Sequence, residues 1–239
     1  MGEPAFNILG LIRKRSFFHE FQPLWNTETK EIFAYEALIR TEPRINPILL
    51  FQHGREQGTL FEFDAVSISN AINEYPESYF EKYFLFVNIF PSTMVHREFS
   101  AFIEELVKTY PKIKGKVVFE INEDLVESHL WEEEAFVSGL ELLKSRGFQI
   151  ALDDLGLTAA SVEKIARNKP DFAKLDRSCS ENLANSINKQ KNIYSILSKS
   201  DRDMVVVLEG IEKKEDLIMA SRLGVRAVQG YYIAKPHRL

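Results

Sequence analysis

Residues 148–154, FQIALDD, run from an apolar segment directly into two adjacent carboxylates, Asp153 and Asp154. A short apolar run that ends in polar or turn-forming residues is typical of a buried strand. The same pattern recurs in KVVFE, which ends at Glu120, and in MVVVLE, which ends at Glu209. Acidic side chains are therefore predicted to follow several strands of one sheet.

Further polar side chains lie within or at the ends of other apolar runs. They are Glu36 in IFAYEALIR, Asn88 in YFLFVN, Lys174 in PDFAKLD, Glu212 in LEGIE and Gln229 in VRAVQG. Polar groups at the carboxyl ends of several strands are how a parallel barrel builds an active site. So many acids would repel one another unless divalent cations neutralise them. The pattern predicts a metal-dependent barrel enzyme.

Strand and helix patterns alternate along most of the chain. Strands are expected at about 19–25, 32–39, 83–88, 116–121, 148–153, 172–175, 204–209 and 227–231. Helices are expected at about 47–57, 64–73, 100–109, 135–145, 161–167, 181–200 and 214–223. Only residues 26–30 separate the first two strands, which suits a hairpin because parallel neighbours need a longer connection.

These elements predict an α/β fold, a modified (β/α)8 TIM-type barrel with an antiparallel first strand. We expect one domain over residues 1–239, with a short N-terminal helix at about 4–17 and the barrel at about 18–239. No internal repeat or low-complexity linker indicates a second domain.

The composition and net charge limit the kinds of partner that the protein is expected to bind. The chain has 239 residues, 45% of them hydrophobic, and a formal net charge of -5. An acidic chain without a broad basic surface is not expected to bind a nucleic-acid polymer. No apolar segment reaches the roughly 20 residues of a membrane span, and no signal peptide is evident. We expect a cytoplasmic protein without a membrane partner.

Local alternatives remain for the strongest motifs. Asp153 and Asp154 suit two neighbouring metal ions, with one carboxylate bridging them, but Asp followed by Gly156 is also typical of a turn. Lys174 and Asp176 share one strand face. The lysine could hold a nucleophilic water or simply form ion pairs.

Glu36 and Arg40 present a similar choice. Period-two alternation places both side chains on one strand face. They could serve a metal and a phosphate, or form a surface ion pair of little energetic weight.

In their order along the chain, these motifs resemble the EAL family of bacterial cyclic di-GMP phosphodiesterases, from FQPLWN to VQGYYIAKP. The triplet that names the family is Glu36-Ala37-Leu38, followed by Ile39-Arg40. The other matching blocks are VNIFP, FEINE with Asn122 in place of Thr, ALDDLG, AKLD and LEGIE.

The resemblance implies hydrolysis of cyclic di-GMP to linear pGpG with two divalent cations, Mg²⁺ or Mn²⁺. It assigns the first metal to Glu36, Asn88, Glu120 and Asp153, and the second to Asp153, Asp154 and Glu209. Lys174 would position the attacking water, and Glu209 has also been cast as the general base. Substrate binding would involve Gln22, Arg40, Asp176, Glu212 and Gln229, and Glu123 would anchor the loop after the fifth strand.

One segment departs from the family pattern. After Asp153-Asp154 the family usually continues Phe-Gly-Thr-Gly-Tyr-Ser-Ser, whereas residues 155–161 read LGLTAAS. Thr158 replaces a glycine that can take a positive φ cheaply, and Ala159 replaces a tyrosine. Because this loop helps order the second metal and the dimer contact in the family, we expect a homodimer whose activity is lowered or independent of dimerisation. The alternative is a weak or inactive domain that acts as a cyclic di-GMP receptor or protein-interaction module.

Overall fold

The structure, a computed structural model, describes residues 10–11, 16–122, 126–199 and 203–239. Eight strands in these ranges close into a barrel in chain order. They are β1 (Phe17–Asn26), β2 (Ile32–Thr41), β3 (Phe84–Ile89), β4 (Val117–Asn122), β5 (Gln149–Leu155), β6 (Phe172–Leu175), β7 (Val205–Leu208) and β8 (Ala227–Val228). The predicted barrel is confirmed.

The first strand is antiparallel to both of its neighbours, as predicted. β1 pairs antiparallel with β2 and β8, while β2 to β8 are parallel to one another. The side chain of Asn26 accepts hydrogen bonds from the amides of Glu28 and Thr29 at 2.8 and 3.0 Å. This Asx-type turn closes the short connection that reverses the chain.

Helices cover the outside of the barrel. They are α1 (Pro47–Glu56), α2 (Leu60–Glu74), α3 (Pro91–Met94), α4 (Phe99–Thr109), α5 (Glu134–Ser145), α6 (Ala159–Asn168), α7 (Arg177–Ser180), α8 (Ile187–Lys199) and α9 (Lys214–Leu223). None of the described helices is long and apolar enough to span a lipid bilayer.

Three sequence expectations need correction. The single helix expected at 181–200 begins only at Ile187, because Asn182 has a φ of 57°, which an α-helix excludes. The short helices α3 and α7 were not anticipated. The last strand, expected to reach residue 231, ends at Val228, and at Gly230 the backbone approaches Ile211 so closely that a Cβ would lie 2.1 Å from its carbonyl oxygen.

The predicted N-terminal helix at 4–17 lies mostly outside the described residues. Gly10 and Leu11 are helical, but Phe17 already belongs to β1.

A layer of apolar side chains fills the lower part of the barrel. Each strand contributes one buried residue to this apolar layer: Leu24, Ala34, Phe86, Val118, Ala151, Phe172, Val207 and Ala227. The rings of Phe86 and Phe172 meet edge to face, with centroids 4.9 Å apart. The barrel is therefore a packed core and not a pore, as in other eight-stranded α/β barrels.

Candidate functional site

One polar side chain from each strand lies next above the apolar layer, at the carboxyl ends of β2 to β8. Side chains alternate along a strand, so the residue two positions beyond each layer residue shares the barrel interior. In β1, which runs the other way, that residue precedes the layer residue. The eight residues of this polar ring are Gln22, Glu36, Asn88, Glu120, Asp153, Lys174, Glu209 and Gln229. All eight were singled out from the sequence.

Lys174 lies at the centre of the polar ring and is fully buried. Its Nζ is 2.6 Å from Glu120 Oε1 and 2.8 Å from Glu209 Oε1. It is also 3.2 Å from Asp153 Oδ1 and 3.3 Å from Glu36 Oε2. One ammonium group thus holds four carboxyl groups from four different strands together.

A single cation cannot neutralise four acids. Burial lowers the pKa of Lys174, but the surrounding carboxylates outweigh it and raise that pKa well above its usual value. Burial also raises the pKa of Asp153 to about 6 and that of Glu209 to about 8, against the opposing attraction of Lys174. Burial and the charge of Glu36 raise the pKa of Glu120 well above its usual range. The cluster has a deficit of positive charge.

Two amides orient carboxylates of the ring. Asn88 Nδ2 donates to Glu120 Oε2 at 3.3 Å, and Gln229 Nε2 donates to Glu36 Oε2 at 2.7 Å. Each donor fixes one carboxylate oxygen and leaves the charge of the cluster unchanged. The amide oxygen of Asn88 remains a suitable ligand for a hard cation.

A bulge in β5 brings Asp154 to the same site as Asp153. Adjacent strand residues normally point to opposite faces, but Asp154 has a φ of 56° and the register with β6 shifts between Leu152 and Leu155. Ligand atoms of Asp153, Asp154 and Glu209 consequently lie within 4.8 Å of one another. The sequence left a turn and a metal site open as interpretations of Asp153-Asp154. The structure combines them, because the unusual backbone conformation of Asp154 makes the carboxylates converge.

Asn122 supports this arrangement, and its role was missed in the sequence. Its Nδ2 donates to Asp154 Oδ2 at 2.7 Å. Asn122 lies two residues beyond Glu120 on the same strand, and this spacing was the available signal.

The donor set fits divalent cations. Glu120 Oε1, Asp153 Oδ1 and Lys174 Nζ are buried without a well-aligned hydrogen bond, so their close contacts are coulombic. Carboxylate and amide oxygens are the ligands preferred by Mg²⁺, Mn²⁺ and Ca²⁺. A cation beside Asp153, Asp154 and Glu209 would supply the missing positive charge.

A cleft of about 210 Å³ opens above the polar ring. Its walls include six residues predicted from the sequence: Gln22, Glu36, Asp176, Glu209, Glu212 and Gln229. Asp176 also accepts a hydrogen bond from the amide of Ser178 at 2.8 Å and so caps α7. Glu212 forms an ion pair with Arg177 at 3.1 Å, across the start of the same helix.

Arg40 lies farther along the wall of β2. Its Nε donates to Glu20 Oε2 at 2.8 Å and its Nη1 donates to the carbonyl of Ile39 at 2.9 Å. The ion-pair alternative for this residue therefore holds, although its partner is Glu20 and not Glu36.

The segment after β4 is held by Glu127. Glu123, predicted as a loop anchor, lies outside the described residues. Glu127 is buried and accepts hydrogen bonds from Arg55 at 2.6 and 3.0 Å, and from the amide and hydroxyl of Ser92 at 2.9 Å. This acid thus ties the segment to α1 and to the start of α3.

The expected backbone cost at Thr158 is absent. Its φ is -117°, a conformation open to any residue, and its side chain accepts a hydrogen bond from the amide of Ser161 at 3.2 Å. Thr158 is the N-cap of α6. The residue near this loop that takes a positive φ is Asp154, so the replacement of glycine by Thr158 does not strain the backbone.

Larger clefts lie away from the polar ring. Among the described residues, one of about 480 Å³ lies between α6 and α8, one of about 380 Å³ lies beside Arg55 and Glu127, and one of about 260 Å³ lies beside Tyr75 and Tyr110. None of these three contains a residue of the polar ring. The chemistry of the side chains, and not cleft size, identifies the candidate site.

Comparison with known proteins gives two curated relatives and one solved structure of particular interest. "Probable cyclic di-GMP phosphodiesterase PdeN" of Escherichia coli strain K12 is 26% identical over 245 residues, covering 98% of this chain and 46% of PdeN. The blue light- and temperature-regulated antirepressor BluF of the same organism is 22% identical, covering 90% of this chain and 53% of BluF. The chain thus spans about half the length of these relatives or less.

The FimX EAL domain of Pseudomonas aeruginosa, solved bound to c-di-GMP, superposes with a TM-score of 0.86. The alignment covers 99% of this chain and 98% of that domain, at 19% identity, and so establishes the fold alone. The family model described as EAL domain matches residues 7–236. On that match over nearly its whole length, the chain belongs to the EAL domain family.

Proposed function

We propose that the protein is a metal-dependent phosphodiesterase that hydrolyses cyclic di-GMP to linear pGpG. The observation that carries the proposal is the polar ring, in which Lys174 holds four carboxyl groups beside the bulged Asp154. The set retains every metal-binding residue that the family resemblance assigned.

In this proposal, Glu36, Asn88, Glu120 and Asp153 hold one divalent cation, Mg²⁺ or Mn²⁺, and Asp153, Asp154 and Glu209 hold a second. Two such cations activate water and neutralise the attacking and leaving oxygens of an in-line displacement. Lys174 would donate a hydrogen bond that orients the attacking water. Glu209 would accept a proton from that water, and the 2.8 Å between its Oε1 and Lys174 Nζ supports this assignment.

The remaining assigned residues bind the substrate. Gln22, Asp176, Glu212 and Gln229 line the cleft, where amide and carboxylate groups suit the donors of a guanine or ribose. Arg40, on the adjoining wall, would pair with a phosphate oxygen. We also propose that the protein acts in the cytoplasm as a homodimer, which sedimentation of the purified chain would test.

The test is chromatographic detection of pGpG after incubation with cyclic di-GMP and Mg²⁺, Mn²⁺ or a chelator. Metal-dependent product is expected from the wild type. Glu36→Gln should abolish it because an amide cannot supply the ligand charge. Glu31→Gln, a change at an exposed acid in the β1–β2 turn, is the matched control and should keep wild-type turnover. Equal turnover in Glu36→Gln and wild type would refute the assigned role of Glu36.

A receptor is the second candidate. The observation favouring it is the altered loop at residues 155–161, together with a relative, BluF, that is named an antirepressor. Under this reading the protein binds cyclic di-GMP tightly but forms no pGpG with any of the cations. Binding without turnover would select the receptor, and metal-dependent turnover would reject it.

A further inference from the structure

The cleft above the polar ring is too small to enclose a dinucleotide. Its volume is about 210 Å³, whereas pockets that bury a drug-sized ligand span about 300–1,000 Å³. A ligand with two bases and two phosphates must therefore lie partly on the rim. On the proposed function, this rim contacts the part of the dinucleotide that the cleft cannot hold.

The rim on one side is the continuation of β1 and β2. Their antiparallel register pairs Gln22 with Glu36, then Glu20 with Leu38, then Phe18 with Arg40. All six side chains share one face because side chains alternate along each strand. Glu36 and Leu38 line the cleft, so Phe18 and Arg40 lie one step farther toward its mouth.

A C-terminal strap, residues 231–238, crosses this part of β1. The amide of Phe21 donates to the carbonyl of His237 at 2.7 Å, and the amide of His237 donates to the carbonyl of Phe21 at 3.1 Å. Gln22 Nε2 donates to the carbonyl of Ala234 at 3.1 Å. These three hydrogen bonds fix the position of the strap relative to the cleft.

The strap places a guanidinium group over Phe18. Arg238 Cζ lies 3.9 Å from the centroid of the Phe18 ring, and the Arg238 side chain is exposed. The guanidinium therefore lies over the aromatic ring, and the Arg238 side chain keeps solvent-exposed surface. Nearer the cleft, Lys235 Nζ lies 5.4 Å from the centroid of Tyr231, which lines the cleft itself.

The charge of this rim opposes that of the cluster below it. Arg40 and Arg44 pair with Glu20 at 2.8 and 3.7 Å, and Lys235 and Arg238 lie over Tyr231 and Phe18, in a chain whose net charge is -5. An anionic nucleotide would be drawn to this side of the mouth. A guanidinium is planar and stacks on aromatic faces, so an arginine held flat against one ring presents a surface for a second.

We propose that Arg238, which lies over the ring of Phe18, binds the ligand by stacking against one purine base at the mouth of the cleft. Arg238 lies beyond the span matched by the EAL domain family model, residues 7–236. One face of the base would lie on Arg238 and the other would face solvent, while the phosphates of the dinucleotide point toward the polar ring.

The experiment measures binding of cyclic di-GMP with Ca²⁺ present, with chromatography to confirm that the ligand stays intact, and KM and kcat with Mg²⁺. Arg238→Ala should weaken binding about five- to tenfold, near the lower end of what the loss of one stacked base costs. It should also raise KM while kcat stays near wild type. Phe18→Leu should act in the same direction because the arginine loses its support. Arg97→Ala, a change at an arginine that is 86% exposed beside Glu98, is the matched control and should change nothing.

Arg238→Lys separates stacking from charge. It keeps the positive charge but loses the planar group, so binding as weak as that of Arg238→Ala supports the proposal. Wild-type binding in Arg238→Lys would show that only the positive charge of the residue matters, and would overturn the proposal. Wild-type binding in Arg238→Ala would also overturn it. A wild-type protein that neither binds nor hydrolyses cyclic di-GMP would instead refute the proposed function.

Discussion

Lys174 behaves as a resident counter-ion of the carboxyl cluster. Four carboxyl oxygens lie 2.6–3.3 Å from its Nζ, and the residue has no exposed surface. Removing one partner of a buried ion pair typically costs about 3–5 kcal/mol because a charge is left uncompensated. Here a single substitution would leave four acids facing one another.

We predict that Lys174→Met lowers the free energy of unfolding by about 3–5 kcal/mol in the presence of a chelator. Mn²⁺ should restore part of this loss, and more than it adds to the wild type, since the cation replaces the missing charge. Urea unfolding with and without Mn²⁺ measures both effects. Lys191→Met, a change on the exposed surface of α8, is the control. Equal stability of Lys174→Met and wild type in chelator would contradict the counter-ion role.

Asp64 is a buried acid outside the site. It is 2% exposed on α2 and accepts a hydrogen bond from the amide of Phe90 at 3.1 Å. Burial raises its pKa to about 7, although that hydrogen bond acts in the opposite direction. Because the folded pKa exceeds the unfolded one, the native state retains a proton between about pH 4 and 7 that the unfolded chain releases. The acid therefore lowers stability as pH rises through this window.

We predict that Asp64→Asn removes this pH dependence, since the amide oxygen can still accept from Phe90. The stability of the variant relative to wild type should increase by about 2–3 kcal/mol between pH 5 and pH 8, from about 1.4 kcal/mol per pKa unit. Glu62→Gln, a change at an exposed acid on the same helix, is the control for general charge effects. Chemical denaturation at the two pH values is the measurement, and a constant difference would contradict the buried-acid interpretation.

At the scale of elements, the loop that departs from the family is stabilised locally by its own residues. Thr158 Oγ1 accepts from the amide of Ser161 at 3.2 Å and lies 2.9 Å from its hydroxyl, which is buried. Thr158→Ala should therefore lower stability by about 1 kcal/mol, the usual cost of losing an N-cap. Thr29→Ala in the exposed β1–β2 turn should cost much less. A urea midpoint for Thr158→Ala equal to that of wild type would show that the cap contributes nothing.

The elements also show where sequence patterns suffice. Apolar runs predicted all eight strands, and six of these, β3 to β8, are short segments of seven residues or fewer. The start of the helix expected at 181–200 was wrong because helical periodicity cannot reveal that Asn182 takes a positive φ; the helix itself forms at Ile187–Lys199. The bulge at Asp154 was equally hidden, since adjacent aspartates are compatible with a plain turn.

At the scale of the whole molecule, the polar ring was predictable and its contacts were not. Position within or at the end of an apolar run singled out Glu36, Lys174 and five other ring members, whereas Gln22 came from the family resemblance. The hydrogen bond from Asn122 to Asp154 and the stack of Arg238 on Phe18 depend on how distant segments meet across the barrel mouth. These contacts between distant segments follow from tertiary packing, which the periodicity of one strand does not reveal.

The polar ring takes one side chain from each strand or from the residue directly after it, so the ring is complete only when β1 closes against β8. A ligand that contacts the whole ring therefore binds only the closed barrel, and its binding reports on that closure.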